Sequence, residues 1–529
     1  MKERMKTHLS TGVFLITVVG ILVLVNLVSA RMFGRLDLTE DGRYSLSDAS
    51  INLMKNLDDQ VIAKAYFTDN LPSPYNSHTR FVEDLFEEYA AYSKGNFKYE
   101  FVDPGTDDDK KNEMMLLGIP PVQIQEIRDD KFEVKQAFLG IVFYYADKKE
   151  IIPLVRSTQG LEYDFTSTIK RLTTDKRKIV GFLQGHGEPN PKEEMKHVMS
   201  ILEQNYIVQM IDLTDASKGI PVEVDSLVIL SPTNKYEEDA LIAIDQYLMK
   251  GRTVAFFTDV VNVNLQTFQA NIVETGLGDI LRKYGITINN DLIGDLQNQR
   301  INVSSQQGQF VVTNVVNYPL IPIVTDFNKD NTLTSKMEAL PFSFASSLVL
   351  AQDTEDLQYT SLAKTSEKSW QQIGLFKINP MQDMSAETNA KLGPFTLMAT
   401  AKGKFESAFA NKQVAGSPGE LLTKSPETRI LVAGDGSFAM DKFADRTGSS
   451  AVFFTNCMDW LVQDESLIAI RGQGIQNKPI AELEGWQKNL IKYANIIGVP
   501  ILLIIFGLLK MVLRKARRKG FQLASGSNN

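Results

Sequence analysis

SLVILSPTNKYEEDALIAIDQYLMKGRTVAFFTD, residues 226–259, decides the fold. Its first apolar run, Ser226–Pro232, and its last, Thr253–Asp259, lack the polar alternation of a half-exposed strand, which marks strands covered on both faces. Between them Glu237–Lys250 carries apolar residues at helical spacing, and Gly251 follows where a helix needs a left-handed terminator. Strand, helix and strand in that order make a parallel crossover unit. Upstream the pattern repeats, with KIVGFLQGHGEPN (178–190) a buried strand entering a loop, Glu193–Asn205 a helix and Ile207–Leu213 a strand. It returns at RILVAGDGSFAMD (429–441) and in a helix over Ser449–Gln463. The expectation is a doubly wound α/β domain over 174–473, with a polar, β-rich insertion near 276–425.

A second α/β domain is expected over 32–173. Ser47 is a suitable N-cap for a short helix carrying Ile51, Leu53, Met54 and Leu57. Gln60–Thr68 reads as a strand, 79–94 as an amphipathic helix closed by Gly95, and Phe97–Asp103 as a strand, which together form a β-α-β unit. A helix over Lys110–Leu117, a hairpin-like pair of Lys131–Phe138 with Leu139–Tyr145, and a helix over Tyr163–Leu172 complete an order suggestive of a thioredoxin-like sheet. No Cys-x-x-Cys is present, so thiol redox chemistry is excluded.

Outside these domains lie two apolar runs. Thr11–Ala30 holds twenty residues without a charge, enough to cross about 30 Å of hydrocarbon. It exceeds the usual length of a signal-peptide core, and an uncleaved anchor is preferred over a cleaved leader ending at Ala30. Tyr493–Leu509 is followed by Lys510, Arg514, Lys515, Arg517, Arg518 and Lys519, a stop-transfer pattern that puts the C-terminus in the cytoplasm. The expected plan is a cytoplasmic N-terminus (1–10), a span (11–31), the two domains outside the cytoplasmic membrane, a linker (474–492), a second span (493–513) and a basic cytoplasmic tail (514–529).

The chain has 529 residues and a net charge of −8, yet both ends are basic, so the body between them is acidic. An acidic body repels polyphosphate, which argues against a nucleic-acid partner. One cysteine, Cys457, and four histidines leave no disulfide, no zinc box and no H-E-x-x-H helix. A Walker A loop is absent, so the chain does not hydrolyse ATP through a P-loop.

Candidate functional residues cluster on loops after the buried strands, where open parallel sheets bind ligands. Gly185, His186, Gly187 and Glu188 form one loop, in which His186 and Glu188 read either as base and orienting acid or metal ligands, or as parts of a turn shaped by two glycines. Asp259 ends the Thr253–Phe257 strand at the same edge and reads as a partner for His186 or as a helix cap or turn former. Gly434-Asp435-Gly436-Ser437-Phe438-Ala439 fits G-x-G-x-x-A, but no acid-tipped strand follows, so a sheet-edge turn outweighs a dinucleotide site. No catalytic residue, metal or cofactor is assigned.

RLDLTEDGRYSLSDAS (35–50), VDP (102–104), GFLQGHGEP (181–189), ILVAGDGSFA (430–439) and FFTNCMDWLVQDESLIAIRG (453–472), in this order after an N-terminal apolar run, resemble the gliding-motility-type (GldG-like) auxiliary proteins of ABC transporters. The resemblance implies a class I glutamine-amidotransferase-like or intraflagellar-transport-type sheet domain, with Thr258-Asp259 where an amidotransferase has its cysteine nucleophile. It also implies a non-enzymatic extracytoplasmic subunit acting with a separate permease and P-loop ATPase, held to the lipid bilayer and facing an extracytoplasmic ligand or envelope protein. The rival readings are a membrane-bound hydrolase using His186, Glu188 and Asp259, and a cell-envelope binding scaffold.

Overall fold

The computed structural model describes residues 45–471, apart from 74, 106, 129–130, 159, 175, 308–309, 411–420, 444–447 and 464–467, together with residue 492. Both apolar runs, the basic tail and all of the linker except residue 492 lie outside the described residues. Among the described residues no helix is long and apolar enough to cross a membrane. The chain divides into two compact units, Met1–Gln476 and Asn477–Asn529, and all the architecture below belongs to the first.

The first sheet has four strands in the order Phe97–Val102, Val61–Phe67, Leu139–Tyr145, Lys148–Ile152. The first pair is parallel and the other two are antiparallel. Ser47 caps the helix Asp48–Lys55 by accepting from the Ser50 N–H, and its hydroxyl donates to Glu162 Oε1 at 2.7 Å, tying this helix to Leu161–Thr173. Between sheet and helices Phe86 packs among Phe97, Tyr99, Phe101, Phe143 and Phe165, with ring centroids 5.1–6.2 Å apart.

The expected hairpin of Lys131–Phe138 with Leu139–Tyr145 does not form. Lys131–Ala137 pairs instead with Val122–Arg128 as a separate two-stranded ribbon, while Leu139–Tyr145 enters the sheet beside Val61–Phe67. The reason is burial: Leu139, Ile141, Val142 and Phe143 are all enclosed, whereas Val134 is exposed, so only the second run has enough apolar surface to hold a central place.

The main sheet contains five parallel strands, Ile179–Gln184, Ile207–Asp212, Ser226–Leu230, Thr253–Phe257 and Thr428–Ala433. Numbered along the chain, their spatial order is 2-1-3-4-5. Alternate side chains face opposite layers. Val228, Leu230, Ala255 and Phe257 pack beneath the helices Lys196–Asn205 and Ser449–Leu461. Leu227, Ile229, Val254 and Phe256 pack against Glu238–Met249 and Leu277–Lys283. Parts of the insertion extend this sheet in antiparallel fashion, with Thr396–Gly403 beside Thr428–Ala433, then Leu348–Leu350 and Ile286–Ile288. The rest of the insertion includes a long hairpin of Asn298–Gln307 and Phe310–Val324.

Candidate functional site

In a 2-1-3-4-5 sheet the crossovers leave strand 1 in opposite directions, which opens a crevice between the ends of strands 1 and 3. Here those ends carry the Gly185–Pro189 loop and Ser231–Asn234. The loop is held shut by its own backbone and by its neighbour. The His186 carbonyl accepts from the N–H groups of Thr233 and Asn234 at 3.1 and 2.9 Å, and the His186 N–H donates to Glu188 Oε2 at 2.6 Å. Gly185 and Gly187 have φ +111° and +78°, and a Cβ on Gly187 would stand 2.1 Å from Thr233 Oγ1, so the turn admits only glycine there.

His186 is buried with its ring stacked on Tyr236 at 4.1 Å, and its Nδ1 has no hydrogen-bond partner among the described residues. Glu188 accepts from the Tyr236 hydroxyl at 2.5 Å. Burial, and then the Glu188 carboxylate, push the Tyr236 phenol far above its ordinary range, so it remains a donor. The two side chains that look catalytic in the sequence are thus engaged with one tyrosine.

Asp259 and Asp435 do come together. They follow neighbouring strands, and Gly436 N–H donates to Asp259 Oδ1 at 2.8 Å. Asp435 is fully buried and accepts from the N–H groups of Ser343, Ser437 and Phe438 and from the Ser437 hydroxyl. Burial, and next the charge of Asp259, push its carboxyl up to about 8. Burial also raises Asp259, opposed by the Gly436 N–H, Ser231 and Lys442. Each is thus shifted toward its protonated form, and the charge on Asp259 disfavours ionisation of Asp435.

A cavity of about 250 Å³ opens over this pair, lined by Gly187, Ser231, Thr233, Asp259, Ser343 and Ser437 among others. Asp259 reaches it; His186, Glu188 and Asp435 are not in its lining. Ser343 and Phe344, also in its wall, come from the insertion and bear no signal in the sequence. Ser231 was legible in principle, because it directly follows strand 3 at the switch point. Gly434 belongs to no phosphate cradle: a Cβ there would meet the Ser346 carbonyl oxygen at 1.9 Å, so its bareness serves close backbone packing. Among the described residues no group of three or more His, Cys, Asp and Glu side chains could hold a metal ion.

Known proteins match this arrangement as follows. A family model described as an ABC-type uncharacterized transport system covers residues 177–462, and one described as a domain of unknown function covers 40–144. An uncharacterized protein of Borreliella burgdorferi is 22% identical over 507 residues, spanning 92% of this chain and 95% of its own. Among solved structures, the mmIFT52 N-terminal domain is 16% identical with a TM-score of 0.33, covering 54% of this chain and 97% of that one.

Proposed function

The chain belongs to the ABC-type uncharacterized transport system family, and from that premise we propose that it is a non-catalytic, membrane-anchored auxiliary subunit of an ABC transport complex. In this reading residues 11–31 and 493–513 are the anchors, both termini are cytoplasmic, and the body is extracytoplasmic. The body comprises a thioredoxin-like domain over 32–173 and an amidotransferase-like domain over 174–473, whose switch-point loops face a substrate or envelope partner. A separate permease and P-loop ATPase supply transport and energy.

The observation that carries the reading is the family match over the whole parallel sheet, including every loop that lines the cavity's sheet edge. The β-α-β then β-β-α order of the first sheet supports the thioredoxin-like assignment. The geometry disfavours the hydrolase, because His186 and Glu188 are turned onto Tyr236 while Asp259 faces the cavity, and general-base chemistry needs hydrogen-bond reach among its members. Affinity purification of the full-length tagged protein from its own membranes in mild detergent, read by mass spectrometry, tests this directly. A P-loop ATPase recovered with a polytopic membrane protein is the expected result; the chain alone, or with envelope components only, overturns it.

A further inference from the structure

The cavity at the switch point has a neighbour. A second cavity, of about 410 Å³, shares Ser343, Phe344, Lys442 and Phe443 with it and lies at the turn of the hairpin Val261–Asn264/Gln269–Ile272. The two differ in chemistry. The first is the more polar, with Ser231, Ser343, Ser437 and Asp259 beside Val261, Val263 and Met440, while Leu265, Phe268, Ile301, Val303, Tyr318 and Ile321 dominate the wall of the second. A more polar chamber beside an apolar one, with a wall in common, is the shape of a site for an amphiphile.

Three further observations point to a ligand and to its charge. Ser231 is only 6% exposed, yet its hydroxyl finds no hydrogen-bond partner within 3.5 Å among the described residues, although it stands near Asp259. A buried unpaired hydroxyl on a cavity wall is costly unless something else completes it. Of the seven described non-glycine residues with left-handed backbone, Ser231 (φ +43°), Phe268 (+51°) and Phe344 (+59°) all line these two cavities. As to charge, Asp259 is the acid beside Ser231 in the cavity wall, while Lys442 and Glu194, both exposed at the rim, offset each other. The chamber therefore favours a positive head and repels a negative one.

We propose that the two adjoining cavities bind a monocationic amphiphile, an amine on an apolar stem, with the amine held by Asp259 and the Ser231 hydroxyl and the stem lying against Phe268, Ile301 and Phe344. This deepens the transport reading by naming a ligand class for the auxiliary subunit. Its test reads binding by the chain alone, so it can fail while the partners co-purify, and stand if they do not.

The experiment places the full-length protein in lipid nanodiscs at pH 7 and titrates 4-phenylbutylamine, 4-phenylbutanol and 4-phenylbutanoate, three heads on one stem, with empty nanodiscs subtracted. The amine is expected to bind about tenfold or more tighter than the carboxylate, the scale of one charge-assisted hydrogen bond, with the alcohol between them. Asp259→Asn brings the amine down to the affinity of the alcohol. Phe268→Ser, on a hairpin turn where Phe268 is 43% exposed and the fold does not depend on it, weakens all three probes by a similar factor. Equal affinities for the three heads, tighter binding of the carboxylate, or no saturable amine binding above empty nanodiscs overturns the proposal, and the unmodified protein alone can deliver each of these results.

Discussion

At the residue scale the Asp259–Asp435 pair contributes to the pH response of the body. A carboxyl whose folded pKa is raised binds its proton more tightly folded than unfolded, so the folded state loses relative stability as pH climbs from the unfolded value near 4 to the folded value. For Asp435, raised to about 8, that window runs from about pH 4 to about pH 8. Asp259→Asn removes the neighbouring charge that is the second cause of the shift, and should flatten this decline. Chemical denaturation of the two proteins at pH 5 and pH 8 checks it: the variant is expected to lose less stability between the two values than the parent, and an equal or larger loss contradicts the pairing. The same residues show what a sequence conceals at this scale. His186 and Glu188 were visible as reactive types on a loop, but Tyr236, which engages both, lies 48 residues beyond Glu188 in the chain and carries no motif.

At the scale of elements, close packing sets the sensitive positions. Gly434→Ala drives a Cβ to 1.9 Å from the Ser346 carbonyl, a backbone atom that cannot swing aside, and is expected to cost about 1–3 kcal/mol or more. Gly278, in the helix Leu277–Lys283, has open space around it, so Gly278→Ala should be stabilising by about 0.5–1 kcal/mol through the lost freedom of the unfolded chain. In the first sheet, Phe86→Ala removes the ring at the centre of five aromatic neighbours and should cost about 3–5 kcal/mol. Denaturant midpoints of the three variants rank these effects, and Gly278→Ala falling below the parent would contradict the steric account. Element identity was mostly legible from periodicity. The helix expected over Glu193–Asn205, however, breaks at Met195 into Pro191–Glu194 and Lys196–Asn205, because Asp441 Oδ1 and Oδ2 accept from His197 and Lys196 N–H and cap a fresh start.

At the scale of the whole molecule the proposed topology has a clean probe. Cys457 is the single cysteine of the chain and is fully buried in the helix Ser449–Leu461, where burial holds its thiol well above the ordinary range. An impermeant maleimide should therefore leave the folded parent unmodified. Leu116 ends the helix Asp108–Leu116 and is 89% exposed, so Leu116→Cys supplies a reporter on the body at little structural cost. Labelling of Leu116→Cys in intact spheroplasts is expected if the body is extracytoplasmic; labelling only after lysis would place it inside and overturn the two-anchor plan.

The apolar runs at 178–184, 226–230, 253–257 and 429–433 determined by themselves that a parallel, two-sided sheet would form, because strands without a polar face have to be covered on both sides. The glycines at 185 and 187 likewise announced a turn, since φ, ψ and close approach are local demands. Only the tertiary structure decided the strand order, the switch point that order creates, and the return of Ser343 and Phe344 from the insertion to the sheet edge. Those depend on contacts between residues up to about two hundred positions apart, and a cavity is the space such contacts leave: no single segment encodes its shape, its polarity or the approach of Asp435 to Asp259.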